Sequence, residues 1–364
     1  MRNDDISMGD FLSLLDRPDE LFLCDVREPE EYAQWRIPGA RNFPLGDLAA
    51  SCLNFPSGVQ VVVICAKAAR AEQGAEILRS AGLSAAVLAG GMGAWGVAYD
   101  QVEMTLGGAL VIQVRRRGKG CLSYVVGAAH GAIVIDPSAE FERYVAIAQQ
   151  YGLTISHVFD THLHADHLSG ARELAGATGA TLVLNASDPF NFAFTPMVDG
   201  LSIQLGDDVH FSVSAVSAPG HTEGSTVFQL GEVALFTGDT LFLESVGRPD
   251  LADQAEAFAH SLYQSLHNRV LPLNDDFLIF PAHFGDSVSI RSGEATTRRL
   301  GDLRTSLPAL ALTEEDFVTW AVANISDRPG NYQEIVRFNA GRSSMDAVEL
   351  RELELGPNRC AVAL

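Results

Sequence analysis

The segment Thr161-His162-Leu163-His164-Ala165-Asp166-His167 constrains this 364-residue chain more than any other. Four potential ligands fall within six residues, directly after a run at 156–160 that reads as a strand. Three imidazoles and a carboxylate held so close repel one another when protonated and lose solvation when buried; a bound cation relieves both costs. Three downstream segments have the same form: Pro219-Gly220-His221-Thr222, Phe236-Thr237-Gly238-Asp239-Thr240 and Phe280-Pro281-Ala282-His283. Each sets a ligand type just past the carboxyl end of an expected strand, where a rigid sheet aims the side chain and the loop remains free to turn. His130, His157, His210, His260 and His267 lie outside any such pattern and read as core or surface filler.

A chain of this length is too long for one comfortable core, so two or three domains are expected. Hydrophobic residues at 47% and charged residues at 20% are the balance of a soluble globular protein. The formal charge of −21 argues against nucleic acid as a partner. No membrane segment is expected, because the least polar stretch, 83–98, carries Gly90, Gly91, Gly93 and Gly96 and suits a strand with tight turns. Met1 to Asp5 is acidic and has no apolar run, so no secretory leader is expected. Five cysteines (Cys24, Cys52, Cys65, Cys121 and Cys360), with no C-x-x-C pair, argue against a disulfide framework and predict a reducing, cytoplasmic setting. Monomer and homodimer both stay open.

Residues 1–104 alternate strands and helices. The apolar runs 21–26 and 59–65 read as buried parallel strands, and 69–81 as a helix stopped by Gly82. Residues 98–108 read as a linker. From Ala109 onward the pattern turns to hairpins, with strands expected at 111–116, 121–127 and 132–135 and a helix at 141–151. Further strands are expected at 156–160, near Leu182, and at 209–215, 226–230, 233–237 and 277–280. The basic run Arg115-Arg116-Arg117 with Lys119 reads as the solvated end of a hairpin rather than an anion patch.

In the first half, Cys65-Ala66-Lys67-Ala68-Ala69-Arg70 joins an expected strand to an expected helix. A cysteine there meets unpaired backbone N–H groups and the positive end of the helix, which favours its thiolate and a bound anionic sulfur group. With Asp25-Val26-Arg27-Glu28, Ile37-Pro38-Gly39-Ala40 and Gly90-Gly91-Met92-Gly93-Ala94-Trp95, this loop resembles a rhodanese domain across nearly all of residues 1–104. The resemblance implies that Cys65 carries sulfane sulfur, with Arg70 assisting and Lys67 binding substrate. The six-residue loop is the length of the sulfurtransferases; related phosphatases use seven. Family loops often carry Gly where this chain has Ala68. The alternative is a module that only binds or delivers sulfane sulfur. Cys24, Cys52, Cys121 and Cys360 read as small apolar filler.

Taken together, His162, His164, Asp166, His167, His221, Asp239 and His283 resemble the ligand set of the metallo-β-lactamase superfamily, over roughly residues 108–330. The resemblance implies an αββα sandwich from residue 108 to 364, C-terminal extension included. In dinuclear zinc members, His162, His164 and His221 would hold one ion, Asp166, His167 and His283 the other, and Asp239 would bridge. In the persulfide dioxygenase branch one Fe(II) is held by His162, His221 and Asp239, leaving His164, Asp166, His167 and His283 to a second site or a supporting shell. Two imidazoles and one carboxylate leave three open positions, enough for dioxygen and a substrate together. The stretch Gly247-Arg248-Pro249-Asp250 is similar to that branch and implies that Arg248 lies near the thiol substrate. Residues 120–124 and 354–360 are similar to bacterial fusions of this kind. After His283, Phe284-Gly285-Asp286-Ser287 departs from the Asp-Tyr pair of glutathione-using relatives. The resemblance therefore implies oxidation of a small persulfide, such as glutathione persulfide, by dioxygen to sulfite, with sulfite or thiosulfate exchanged by the first domain. A two-zinc thioester hydrolase is the alternative.

Overall fold

The computed structural model describes residues 5–51, 55–205, 212–251, 254–328 and 330–362. Its N-terminal part is a five-stranded, all-parallel sheet in the order Asp5–Ile6, Ala85–Leu88, Gln60–Ile64, Leu21–Asp25, Arg41–Asn42. The central strand shows why the apolar run is continuous. Val61 and Val63 pack with Ala71, Ala75 and Leu78 of the helix Ala69–Ser80, while Val62 and Ile64 pack on the other face with Phe11, Leu12 and Trp95. Both faces are covered by helices, so alternation has no polar side to record. Gly82, just past that helix, takes φ +84°, as expected of a glycine stop.

The second part stacks a seven-stranded and a six-stranded sheet. The first runs Thr195–Pro196, Thr181–Leu184, Thr154–Phe159, Gly131–Ile135, Cys121–Ala128, Ala109–Arg116, Tyr99–Leu106. The second runs Ser202–Gln204, Ser212–Ser217, Thr226–Leu230, Ala234–Gly238, Leu278–Pro281, Arg298–Arg299. Tyr124, Ile133, Ile135 and Phe159 of one sheet meet Val213, Phe228, Phe236 and Phe280 of the other in a shared core. Helices Glu142–Gln150 and Ala171–Thr178 cover one outer face, and Ala255–Ser265, Leu300–Ser306 and Glu314–Ala323 cover the other. This is the expected αββα sandwich beside a parallel α/β domain.

Two expectations are corrected. Most of the stretch read as a linker is the strand Tyr99–Leu106, paired along its length with Ala109–Arg116. Its signal was period-two: Val102, Met104 and Leu106 turn inward while Gln101, Glu103 and Thr105 are exposed. The basic run is not solvated. Arg115, Arg116, Arg117 and Lys119 are all buried, because this hairpin end is where the two domains meet. Arg115 and Arg117 pair with Asp100, and Arg116 donates to the carbonyl of Gly96 and pairs with Glu354. Trp35 donates to the Gly118 carbonyl from the other domain. The start of the strand expected at 209–215 lies outside the described residues; the described part is Ser212–Ser217. No helix among the described residues is long and apolar enough to cross a membrane.

Candidate functional site

The histidine-rich segment leaves the strand Thr154–Phe159, and His221, Asp239 and His283 each follow a strand of the other sheet, so the seven side chains gather at one edge of the sandwich. All seven are at most 2% exposed. Glycine makes the crowding feasible: a Cβ on Gly238, at φ +52°, would lie 2.6 Å from Thr161 Oγ1, and one on Gly220 would lie 2.4 Å from the backbone of Leu262.

Three of the seven converge with nothing between them. His162 Nε2 lies 3.6 Å and His221 Nε2 3.4 Å from Asp239 Oδ2, and none of these atoms has a hydrogen-bond partner among the described residues. The opposite ring nitrogens explain the orientation. Thr161 Oγ1 donates to Asp136 Oδ2 (3.0 Å) and so accepts from His162 Nδ1 (2.9 Å), while His221 Nδ1 donates to the carbonyl of Arg248 (2.9 Å). Both Nε2 lone pairs therefore point into the gap. Burial, reinforced for His162 by His164, pushes both imidazoles toward the neutral form. Burial opposes ionisation of Asp239, but His283 and His162 hold its carboxyl below the usual range. Two neutral imidazoles and a carboxylate with unpaired, buried tips fit a divalent metal ion; left alone, each tip would bear a desolvation penalty.

The remaining four lie beside this trio, and His164 Nδ1, Asp166 Oδ2 and His283 Nε2 are likewise buried without a hydrogen-bond partner among the described residues; His164, Asp166 and His167 bring ligand atoms within 4.8 Å of one another. His283 Nδ1 lies 2.7 Å from Asp239 Oδ1 and its Nε2 3.1 Å from Asp166 Oδ2; Asp166 Oδ1 lies 3.4 Å from His167 Nδ1. His164 Nε2 faces Asp136 Oδ1 at 3.1 Å. Cys121 and Cys360 correct the filler reading. Cys121 groups with His167 and His283, and Cys360 with Asp166 and His283, their ligating atoms all within 4.8 Å. Burial opposes ionisation of Cys121, yet His167 and His283 bring its thiol down to about 6, whereas burial, Asp166 and Asp239 push Cys360 up. Nothing in their spacing tied them to the motif; only the similar segments around them did. Cys24 is core, as expected, and Cys52 lies outside the described residues.

Cys360 belongs to a tail that straps the site. Arg248 N donates to the Cys360 carbonyl and Val362 N to the Val246 carbonyl, Leu168 N donates to Glu354, and the Asn358 amide donates to the carbonyls of Lys119 and Phe284. The Arg248 side chain, expected near substrate, is 2% exposed. It donates to both Asp250 oxygens (2.7 and 3.0 Å) and to the carbonyls of Arg359 and Ser326, and it lines a small cavity with Asp166 and Cys360. Of the five isolated histidines, His157 stacks on Phe159, His267 stacks on Tyr263, His260 pairs with Glu314, His130 is exposed and His210 lies outside the described residues.

In the first domain, Cys65 sits between the strand Gln60–Ile64 and the helix Ala69–Ser80, whose N-terminus at Ala68 has no side-chain cap. Its carbonyl accepts from Met92 N (2.9 Å), and a Cβ on Gly91 would lie 2.2 Å from that carbonyl oxygen, which explains the Gly90-Gly91 pair. Cys65 itself is buried, while Ala66 and Lys67 are exposed. Arg70 is held bidentately by Glu31 (2.7 and 2.8 Å), and that pairing brings the Glu31 carboxyl down to about 2.

The chain matches the rhodanese-like domain family over residues 7–98 and the metallo-beta-lactamase superfamily over residues 116–283. It is 32% identical over 190 residues to the mitochondrial persulfide dioxygenase ETHE1 of Bos taurus, spanning 51% of this chain and 69% of that protein. It is 36% identical over 155 residues to the hydroxyacylglutathione hydrolase of Rhodospirillum rubrum, spanning 41% of this chain and 56% of the hydrolase. The crystal structure of ETHE1 from Myxococcus xanthus matches with a TM-score of 0.56 at 26% identity, covering 64% of this chain and 99% of that one. Seven candidate ligands at the edge of an αββα sandwich, preceded by a cysteine loop on a parallel sheet, agree with these likenesses: the chain belongs to the persulfide dioxygenase family of the metallo-β-lactamase superfamily, as a fusion with an N-terminal rhodanese-like domain.

Proposed function

We propose that the chain oxidises a low-molecular-weight persulfide to sulfite at one Fe(II) held by His162, His221 and Asp239, and that Cys65 moves sulfane sulfur in the first domain. The observation that carries the reading is the meeting of three buried, unpartnered donor atoms on one point. The overall reaction balances as RSS⁻ + O₂ + H₂O → RS⁻ + SO₃²⁻ + 2H⁺. Bound iron supplies the redox chemistry that joins dioxygen to the terminal sulfur.

The chain's own groups do the rest. Thr161, Asp136 and the Arg248 carbonyl fix the two imidazoles as neutral ligands. The tail covers the centre, and Arg248, clamped by Asp250, places its cationic charge at a small cavity that Asp166 and Cys360 also line. In the first domain the Cys65 thiolate takes the outer sulfur of thiosulfate or of a persulfide, the donor S–S bond breaks as the new one forms, and sulfite or thiol leaves. Lys67 and Arg70 supply cationic charge around the loop.

The ligand set and the hydrolase likeness favour a second reading, a two-zinc thioester hydrolase. His164, Asp166, His167 and His283 could supply its second ion; the likeness to persulfide dioxygenases over a larger share of the chain favours the first reading. Metal content of anaerobically purified protein, with oxygen uptake on adding glutathione persulfide, separates the two. Near one iron per chain with rapid uptake is expected; about two zinc ions and no uptake would overturn the proposal.

A further inference from the structure

Two cavities lie between the domains, of about 550 and 490 Å³. In a chain with a formal charge of −21, their walls carry Arg27, Arg36, Arg117, Lys119, Arg328 and Arg359 against only Glu31 and Asp286. Arg27, Arg117 and Arg328 are neutralised by Asp25, Asp100 and Asp250. Lys119 and Arg359 are not: among the described residues neither forms an ion pair. Lys119 is 3% exposed and lines the larger cavity, and the hydrogen bond found for its ammonium is a long one, 3.4 Å, to the Glu354 carbonyl. Cys121 and Asp166 act on this ammonium through space, but no carboxylate among the described residues lies within ion-pair distance of it; an anionic ligand at the cavity wall would offset the cost of its burial.

Arg359 ties the cavities together. It lines both of them and also the small cavity that holds Asp166 and Cys360 beside the metal trio. Glu31, on the wall of the second cavity, is the residue that grips Arg70 of the Cys65 loop. The small cavity measures about 10 Å³, space for about one water molecule.

We propose that the cleft between the domains is a binding site for a small sulfur oxyanion, sulfite or thiosulfate, anchored by Lys119 and Arg359. This rests on the function proposed above and deepens it.

Trp35 and Trp95 line the larger cavity, so tryptophan emission reports its occupancy without any turnover. Sodium sulfite and sodium thiosulfate are titrated separately into the anaerobic full-length protein. A saturable change in emission is expected with at least one of them, and Lys119→Met and Arg359→Gln each weaken it by about tenfold, while Lys119→Arg retains it. An emission that responds to neither anion, or responds alike in wild type and both charge-removing variants, overturns the proposal. The anion that gives the tighter response names the occupant. A chain that shows this response but consumes no oxygen with persulfide would sink the dioxygenase reading and leave the anion site standing.

Discussion

The two reactive centres are built in opposite ways. The proposed metal trio is enclosed, its two imidazoles aimed by fixed hydrogen bonds and the whole covered by a tail. Cys65 is as buried, at 2% exposed, but its loop stands at the end of a strand with exposed Ala66 and Lys67 beside it and a half-buried arginine held by one carboxylate. A centre that must keep a reactive cation in one coordination state gains from enclosure, whereas a cysteine that must meet donor and acceptor in turn needs an open approach. The contrast predicts that damage to one centre leaves the other working.

The largest effect should come from Asp239→Ala or His221→Ala: oxygen uptake with persulfide falls on the order of a thousandfold or more and metal content drops, while thiosulfate sulfur transfer stays near wild type. Parallel loss of both activities would break the comparison. Conversely, Cys65→Ser should abolish thiosulfate turnover and leave initial oxygen uptake unchanged; unchanged thiosulfate turnover would remove catalysis from the first domain. A smaller effect is expected of Thr161→Val, which leaves His162 without the partner that fixes its tautomer. Metal affinity, read by chelator competition, should weaken about 10- to 100-fold with the fold intact. The smallest is Glu31→Gln. Glu31 titrates lower folded than unfolded, so its pairing stabilises the protein above the ordinary carboxyl range and is lost as pH falls toward about 2. Both partners are about one-third exposed, so the gap between wild type and variant in urea unfolding should be under about 1 kcal/mol at pH 7, and it should shrink as the solution is acidified.

Legibility in the sequence followed the same divide. Buried strands such as Gln60–Ile64 and the seven ligands announce themselves, because a continuous apolar run and a dense histidine cluster have few other physical meanings. What escaped was tertiary. Arg115 to Lys119 look like any charged turn until a second domain and a C-terminal tail close over them. Cys121 and Cys360, 239 residues apart in number, carry no mark of their meeting at His283. The strand Tyr99–Leu106 was readable from its alternation but was hidden by lying where a boundary was expected.

The strap has a consequence for how the metal centre comes into being. The Cys360 carbonyl receives the N–H of Arg248, and the Arg248 carbonyl in turn receives the N–H of His221. During synthesis all seven candidate ligands emerge before residues 354–362 do, so a nascent chain can display the whole cluster while the bond that steadies Arg248, the partner of His221, is still missing. On the proposed reading, the trio becomes a fixed cage only once residues 354–362 have closed over it, so the strap governs how firmly an ion is kept.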